Sequence, residues 1–483
     1  MMIVNKRIIR TTNTLLGLCF WALACTATAQ PVIPHQFSPG QPASAAQMNE
    51  NFARVSEELE ALKTMANTGA NVNLDCTADP NALNSWFTSN QNTLVRNVTF
   101  NVFGRCNSYE FVREGLLQVN FLGASADAAL VGPDDGRAGI AGINSSTAMY
   151  LRDLRLEATN GPVARVAGTV GFENVVMAGG GLDIQSGANV GLNDVDLVNG
   201  DLRIRQASTV FMGGTANVIR AGSVDVTDDS VLVNWAALTI NQGQDLLSFN
   251  VMHGSTYLGQ GGSLNGKFRW AVVGANVYLS AVEVDIESVI QVSTGSSFWA
   301  KFGTNFVITK PAGDYCCNGW GLLINQAAAR IEQNLKFVGF TDQDQVLQLI
   351  EGSNFLLNSQ EPTPIPLFWV FDSSSASLSG AVIDNLDVRG SSYVRLNSIT
   401  LNSFAGIRSG SSVDMFSVTG QAGIQIDASF AFVANDETAP LAQSQFGCSG
   451  PARLNFQGAT VDPQQTNCFD NLAWDSLFTS ITR

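Results

Sequence analysis

The 483-residue sequence predicts an all-β chain wound as a parallel β-solenoid of about 20–25 residues per turn, preceded by an N-terminal helical segment. Three observations predict it. First, a four-residue pattern of Asn or Asp, apolar, any, apolar returns along the chain: Asp153-Leu154-Arg155-Leu156, Asn174-Val175-Val176-Met177, Asp194-Val195-Asp196-Leu197, Asn305-Phe306-Val307-Ile308 and Asn385-Leu386-Asp387-Val388. Second, a Gly, Ser or Ala, any, apolar pattern is interleaved with it, as in Gly254-Ser255-Thr256-Tyr257, Gly295-Ser296-Ser297-Phe298 and Gly390-Ser391-Ser392-Tyr393. Third, charged residues are only 14% of the chain, against about 25% in ordinary soluble proteins. Stacked turns satisfy one another's backbones, so their outward positions can be small and neutral.

Taken in order, Lys6, Arg7 and Arg10 followed by a mostly apolar run and Ala27-Thr28-Ala29 predict a signal peptide over 1–29. Residues 30–69 read as a Pro/Gly/Gln linker and a short helix. Ser44 and Gln47 form a capping box. Ala45, Met48, Phe52, Val55, Leu59, Leu62 and Ala66 follow at alternating spacings of 3 and 4. That stripe fits a short coiled coil over 45–66, or an amphipathic helix lying on its own chain. Asp79-Pro80 predicts the start of a second helix with Leu83, Trp86 and Phe87 on one face, inside an N-terminal cap over 70–107. The solenoid proper is expected over 108–435 and a C-terminal cap over 436–483. A leucine-rich repeat lacks its helices here, and a globular sandwich would not repeat its flanking residues at a fixed period. Leu154, Leu156, Val195, Leu197, Phe306 and Ile308 are expected inward. Turns at the ordinary strand spacing give about 15 turns and a length on the order of 70 Å, with an Asn ladder pinning register at one corner.

This combination of Asn-apolar repeats, a spacing of 20–22 residues and the cap helix at Asp79-Pro80 resembles the right-handed parallel β-helix proteins of the pectin-lyase-like superfamily, over about residues 70–480. The resemblance implies a right-handed parallel β-helix. It does not select an activity, because the superfamily includes polysaccharide lyases, glycoside hydrolases, adhesins and tail spikes.

Six cysteines follow the expected cleavage site, an even number suited to an oxidising compartment. Sequence proximity favours Cys76–Cys106 and Cys448–Cys468. The adjacent Cys316 and Cys317 are either a vicinal pair or two free thiols. The chemical candidates are few. Asp228-Asp229 followed by His253-Gly254 is similar to part of a galacturonan hydrolase site. The Asn-Thr-Asp and Arg-Ile-Lys that accompany it in that family are missing, and the pair before Ser230-Val231 reads better as a turn. Tyr257, Tyr278 and Trp299 are spaced 21 apart and would form an outward aromatic column for sugar stacking. If the glycine pattern sets the register instead, Tyr257 aligns with Val277 and Phe298 in the core. Residues 311–321 interrupt the repeat and carry Tyr315 and Trp320, contact surface for a ligand or packing for a lateral loop. Arg152, Arg155, Arg203 and Arg205 could make a small basic patch.

Charge and composition narrow the classes. A net charge of -15 repels phosphate backbones, so no nucleic-acid partner is expected. Two histidines disfavour His-rich metal sites. Ca²⁺ has no loop motif among Asp134-Asp135, Asp194-Asp196 or Asp342-Asp344, and no cofactor is expected. No later segment is apolar enough to span a membrane. The expectation is a secreted, periplasmic or surface-held β-helix that binds a glycan or a cell surface without cleaving it. The alternatives are a lyase or hydrolase of the same fold and a trimeric fibre-like protein joined through 45–66.

Overall fold

The computed structural model describes residues 44–67, 69–90, 97–108, 117–138, 140–143, 148–241, 246–301, 303–312, 320–434, 441 and 445–457. Two units divide the chain, one ending at Thr68 and the other starting at Gly69. In the first, helix α1 (Ala45–Asn67) opens on the expected capping box. The Ser44 N–H donates to Gln47 Oε1 at 3.3 Å and the Gln47 N–H to Ser44 Oγ at 3.2 Å.

The second unit is a right-handed parallel β-helix of about 15 turns. Its strands stack into three parallel faces. Face 1 begins with Gly69–Asp75 against Asn97–Phe103 and ends with Phe430–Ala434 against Arg453–Gln457. Face 2 runs from Arg105–Asn107 to Thr419–Gly420, and face 3 from Ile140–Ile143 to Phe446–Ser449. Parallel stacking therefore extends beyond 108–435 at both ends. The segment expected as an N-terminal cap already supplies the first rungs, and the segment expected as a C-terminal cap supplies two more strands.

Alternation of side chains across each strand fills the interior. Leu154, Leu156, Val195, Leu197, Phe306 and Ile308 are all buried. The widest side chains meet mid-length, where Phe249 stacks on Trp270 with centroids 5.2 Å apart and Trp270 meets Phe298 edge-on at 5.3 Å. Where face 2 turns into face 3 the backbones of adjacent turns nearly touch. Gly200 has φ +105°, and a Cβ there would lie 2.2 Å from the Gly181 nitrogen, so only glycine fits.

The corner between face 3 and face 1 explains the Gly-Ser pattern. One or two residues per turn adopt left-handed φ there, among them Asp228, Asp229, His253, Glu351, Asp372 and Ser409. A buried serine follows. The Ala188 N–H donates to Ser208 Oγ, Ser208 N–H to Ser230 Oγ and Ser230 N–H to Ser255 Oγ, at 3.1–3.2 Å. The same bond recurs from Ala275 to Ser296, from Ser353 to Ser374 and from Ser392 to Ser411. Asparagine contributes isolated links, Asn174 to Asp153 at 2.7 Å and Asn334 to Asn305 at 3.4 Å. The repeating ladder is thus made of serine. A hydroxyl can accept from the next backbone and donate to its own turn, so it needs no side-chain partner.

At the N-terminal end, helix α2 (Ala82–Ser89) buries Leu83 and Phe87. Trp86 sets its edge on Phe100 at 4.9 Å, and Phe100 stacks on Phe121. The helix starts later than Asp79-Pro80 suggests, because the Asp79 carboxylate accepts the Asn81 N–H at 2.9 Å and forms a separate turn first. Cys76 and Cys106 are disulfide-bonded. Cys448 is also disulfide-bonded; Cys468, Cys316 and Cys317 lie outside the described residues.

Candidate functional site

The outer surface of face 1 carries a groove of about 410 Å³. Its floor is a column of small side chains, Ser297, Ala328, Asn354 and Ser375, stacked in register on successive turns. The next outward column presents Tyr278, Trp299, Arg330 and Leu356. Tyr393 pairs with Ser375 and ends the run of small residues. The concavity comes from this mismatch of volumes between adjacent columns on a regular ladder.

Trp299 anchors one end. The Tyr278 ring meets it edge-on with centroids 5.4 Å apart. Lys301 Nζ lies 4.7 Å from the Trp299 ring and 5.0 Å from Tyr278, and the Arg330 guanidinium lies 5.2 Å from Trp299. Such contacts hold cations over the negative face of an aromatic ring. Arg330 is paired with the buried Glu332. The buried indole N–H of Trp299 has no hydrogen-bond acceptor among the described residues. At the other end Tyr393 is 38% exposed, and its hydroxyl donates to Asp414 Oδ2 at 2.7 Å. Partial burial, helped by that bond and the Asp414 charge, pushes the phenol up to about 12. It stays a neutral donor throughout the ordinary pH range.

The glycine pattern sets the register. Tyr257 pairs with Val277, and Val277 with Phe298, so Tyr257 is fully buried and cannot stack a ligand. Burial pushes its phenol well above the usual range. Tyr278 and Trp299 remain outward, without it. In the repeat at Gly390, both Gly390 and Ser391 have left-handed φ. At Gly254, Gly295 and Gly352 the glycine is the second of two left-handed residues; here it is the first, which moves the ladder serine to Ser392 and turns Tyr393 outward from the inward slot the pattern implied. A one-residue slip always exchanges the two faces.

Asp228, Asp229 and His253 come together at the serine-ladder corner. His253 Nδ1 is 3.7 Å from Asp228 Oδ1, with side-chain exposures of 67% and 52%. The Asp229 N–H donates to the His253 carbonyl at 3.0 Å, and Asp229 Oδ1 occupies the space where a side chain at Gly254 would project. All three therefore have backbone roles in closing turns, with left-handed φ that Asp and His tolerate better than most residues. The supposed basic patch is neutralised. Arg152 pairs with Asp153, Arg155 with Glu157, Arg203 with Asp201, and Arg205 with Asp183. Trp320 is half-buried and donates to Gln345 Oε1 at 2.8 Å, which ties the end of the insertion to the next turn. Tyr315 lies outside the described residues. Among the described residues no cluster of three His, Cys, Asp or Glu side chains could hold a metal ion, and no helix is long and apolar enough to cross a membrane.

Arg330, Asn354 and Tyr393 are the site residues the sequence reading missed. The signal was available. Aligning repeats on the buried serine instead of the preceding glycine puts Ser297, Asn354, Ser375 and Tyr393 in one column. Comparisons with protein-family models, with curated proteins and with solved structures find no match to this chain.

Proposed function

We propose that this chain is an exported β-helix that binds a glycan in the face 1 groove without cleaving it. The groove itself carries the reading. A sugar ring has apolar faces and a hydroxyl rim, and the site offers the matching pair: flat aromatic surface at Trp299 and Tyr393, with Ser297, Asn354 and Ser375 as hydrogen-bonding floor. The Cys76–Cys106 disulfide supports an oxidising compartment, hence secretion, the periplasm or the cell surface. The test is binding by pull-down and calorimetry to pectate, alginate, galacturonan and a neutral β-glucan. At least one should bind, and Trp299→Ala and Tyr393→Ala should each weaken it about tenfold or more with the circular dichroism spectrum unchanged. Full affinity in both variants would end the proposal.

A hydrolase or lyase is the second reading, favoured by the 3.7 Å approach of His253 to Asp228. General acid–base chemistry needs a titrating group near the scissile bond in a site that positions the sugar, whereas these side chains project from an exposed corner. The expected result is no new reducing ends and no unsaturated uronate from the same polysaccharides, with or without Ca²⁺. Products abolished by Asp228→Ala would replace the binding reading with the enzymatic one.

A further inference from the structure

Helix α1 carries an apolar stripe that is exposed over its described half. Met48, Phe52 and Val55 are 41%, 69% and 49% exposed. A helix of this length is marginal unless such a stripe is covered. The period of the stripe says what can cover it. Ala45, Phe52, Leu59 and Ala66 take heptad position a, and Met48, Val55 and Leu62 take d. A strict repeat of 3.5 keeps its whole length in contact best with another helix that supercoils with it.

The flanking positions choose the partner. Asn51 and Glu58 occupy g, while Ser56 and Lys63 occupy e. In parallel, in-register helices each g position faces the following e position of its neighbour, which sets Glu58 against Lys63 and Asn51 against Ser56. An antiparallel neighbour sets g against g and e against e, and the opposite charges no longer meet. A copy of this chain in the same direction supplies the complement. The core positions choose the number. Two-stranded coils prefer a β-branched residue at a; here no a position carries one, Phe52 and Leu59 standing there between two alanines, while the one β-branched core residue, Val55, is at d, which disfavours two strands and makes three the smallest closed assembly. We propose that three copies of this chain associate through residues 45–66 as a parallel, in-register coiled coil with threefold symmetry. This inference is independent of the groove.

Light scattering on the purified chain at micromolar concentration should give the mass of three chains. A mass of one, two or four chains overturns the proposal. Phe52→Glu should convert the assembly to single chains while the β-sheet circular dichroism and its melting temperature stay unchanged. Three chains persisting in that variant would place the contact in the solenoid and overturn the proposal as well. Glu58→Lys should weaken the assembly several-fold, and adding Lys63→Glu should restore it; failure of the restoration excludes the parallel register. Oxidised Val55→Cys should give a covalent dimer band on a non-reducing gel that the unsubstituted chain lacks. Its absence would likewise exclude the parallel arrangement.

Discussion

Ser353 shows what fixes one turn on the next. Its hydroxyl reaches the Ile324 carbonyl at 2.9 Å and the Ile350 carbonyl at 2.5 Å, while its N–H donates to Ser374 Oγ. No water reaches this side chain. Ser353→Ala should therefore lower the unfolding free energy by about 1–3 kcal/mol in guanidinium titration, whereas Ser377→Ala on the groove surface should change it by about 0.5 kcal/mol or less. Equal effects would mean that the ladder contributes nothing. Glycines divide in the same way. At Gly187 φ is +71° but a Cβ meets nothing within 4 Å, so alanine there costs only the left-handed penalty of about 1–2 kcal/mol. At Gly200 the same change also drives a methyl into the Gly181 backbone, and Gly200→Ala should reduce the yield of folded protein where Gly187→Ala does not. The chemical identity of such positions is visible in sequence. Their facing is not, as Tyr393 shows, because whether the glycine stands first or second of the two left-handed corner residues shifts the following strand by one residue and exchanges its faces.

Among the elements, the α2 cap and the base of the 311–321 insertion stand out because a covalent or ionic link is added to their packing. The Cys76–Cys106 bond joins residues 30 apart, a loop for which chain entropy gives about 3.6 kcal/mol of stabilisation. The double variant Cys76→Ser/Cys106→Ser should raise amide hydrogen exchange in residues 69–107 and leave the turns near Trp270 protected. Uniform loss of protection would show instead that the N-terminal end nucleates the whole body. Lys310 bridges to Asp344 at 2.7 Å and 2.8 Å across the insertion, with Thr341 donating to the same carboxylate. Burial pushes the Asp344 carboxyl up, but these bonds outweigh it and hold the group below its ordinary value. A carboxyl with a lowered folded pKa contributes stability above its unfolded value, near 4, and loses it as pH falls through the folded value. Asp344→Asn should thus melt below the unsubstituted chain at pH 7, and the gap should close on acidification below about pH 4. A gap that persists at pH 2 would assign the effect to packing. The capping box at Ser44 and Gln47 and the apolar face of α2 were legible in sequence because both depend on neighbours three or four residues away. The late start of α2 was not, since Asp79 can serve a helix or a turn and the choice rests with tertiary contacts at Asn107 and Trp86.

At the scale of the whole solenoid, inward columns and parallel stacking were readable from the repeat because every turn solves the same packing problem. The groove was not, since it is a difference between turns. Small residues on four successive rungs look unremarkable singly, and the variable length of turns, with Ser297 pairing Ala328 but Ser375 pairing Tyr393, conceals that they share a column. The neighbour-only pairing of rungs also dictates how the molecule would bear load. Each turn is hydrogen-bonded to the one before and the one after, so a pull applied across the two ends is carried by rungs in series, and the weakest peels first without unfastening the rest. Under an optical trap the solenoid should lengthen as a staircase. A turn of about 20 residues would release about 70 Å of slack per step, with the step out of the Cys76–Cys106 region shortened until the disulfide is reduced. A body anchored at one end and holding a ligand in its C-terminal half would in this way yield length under tension while keeping its grip.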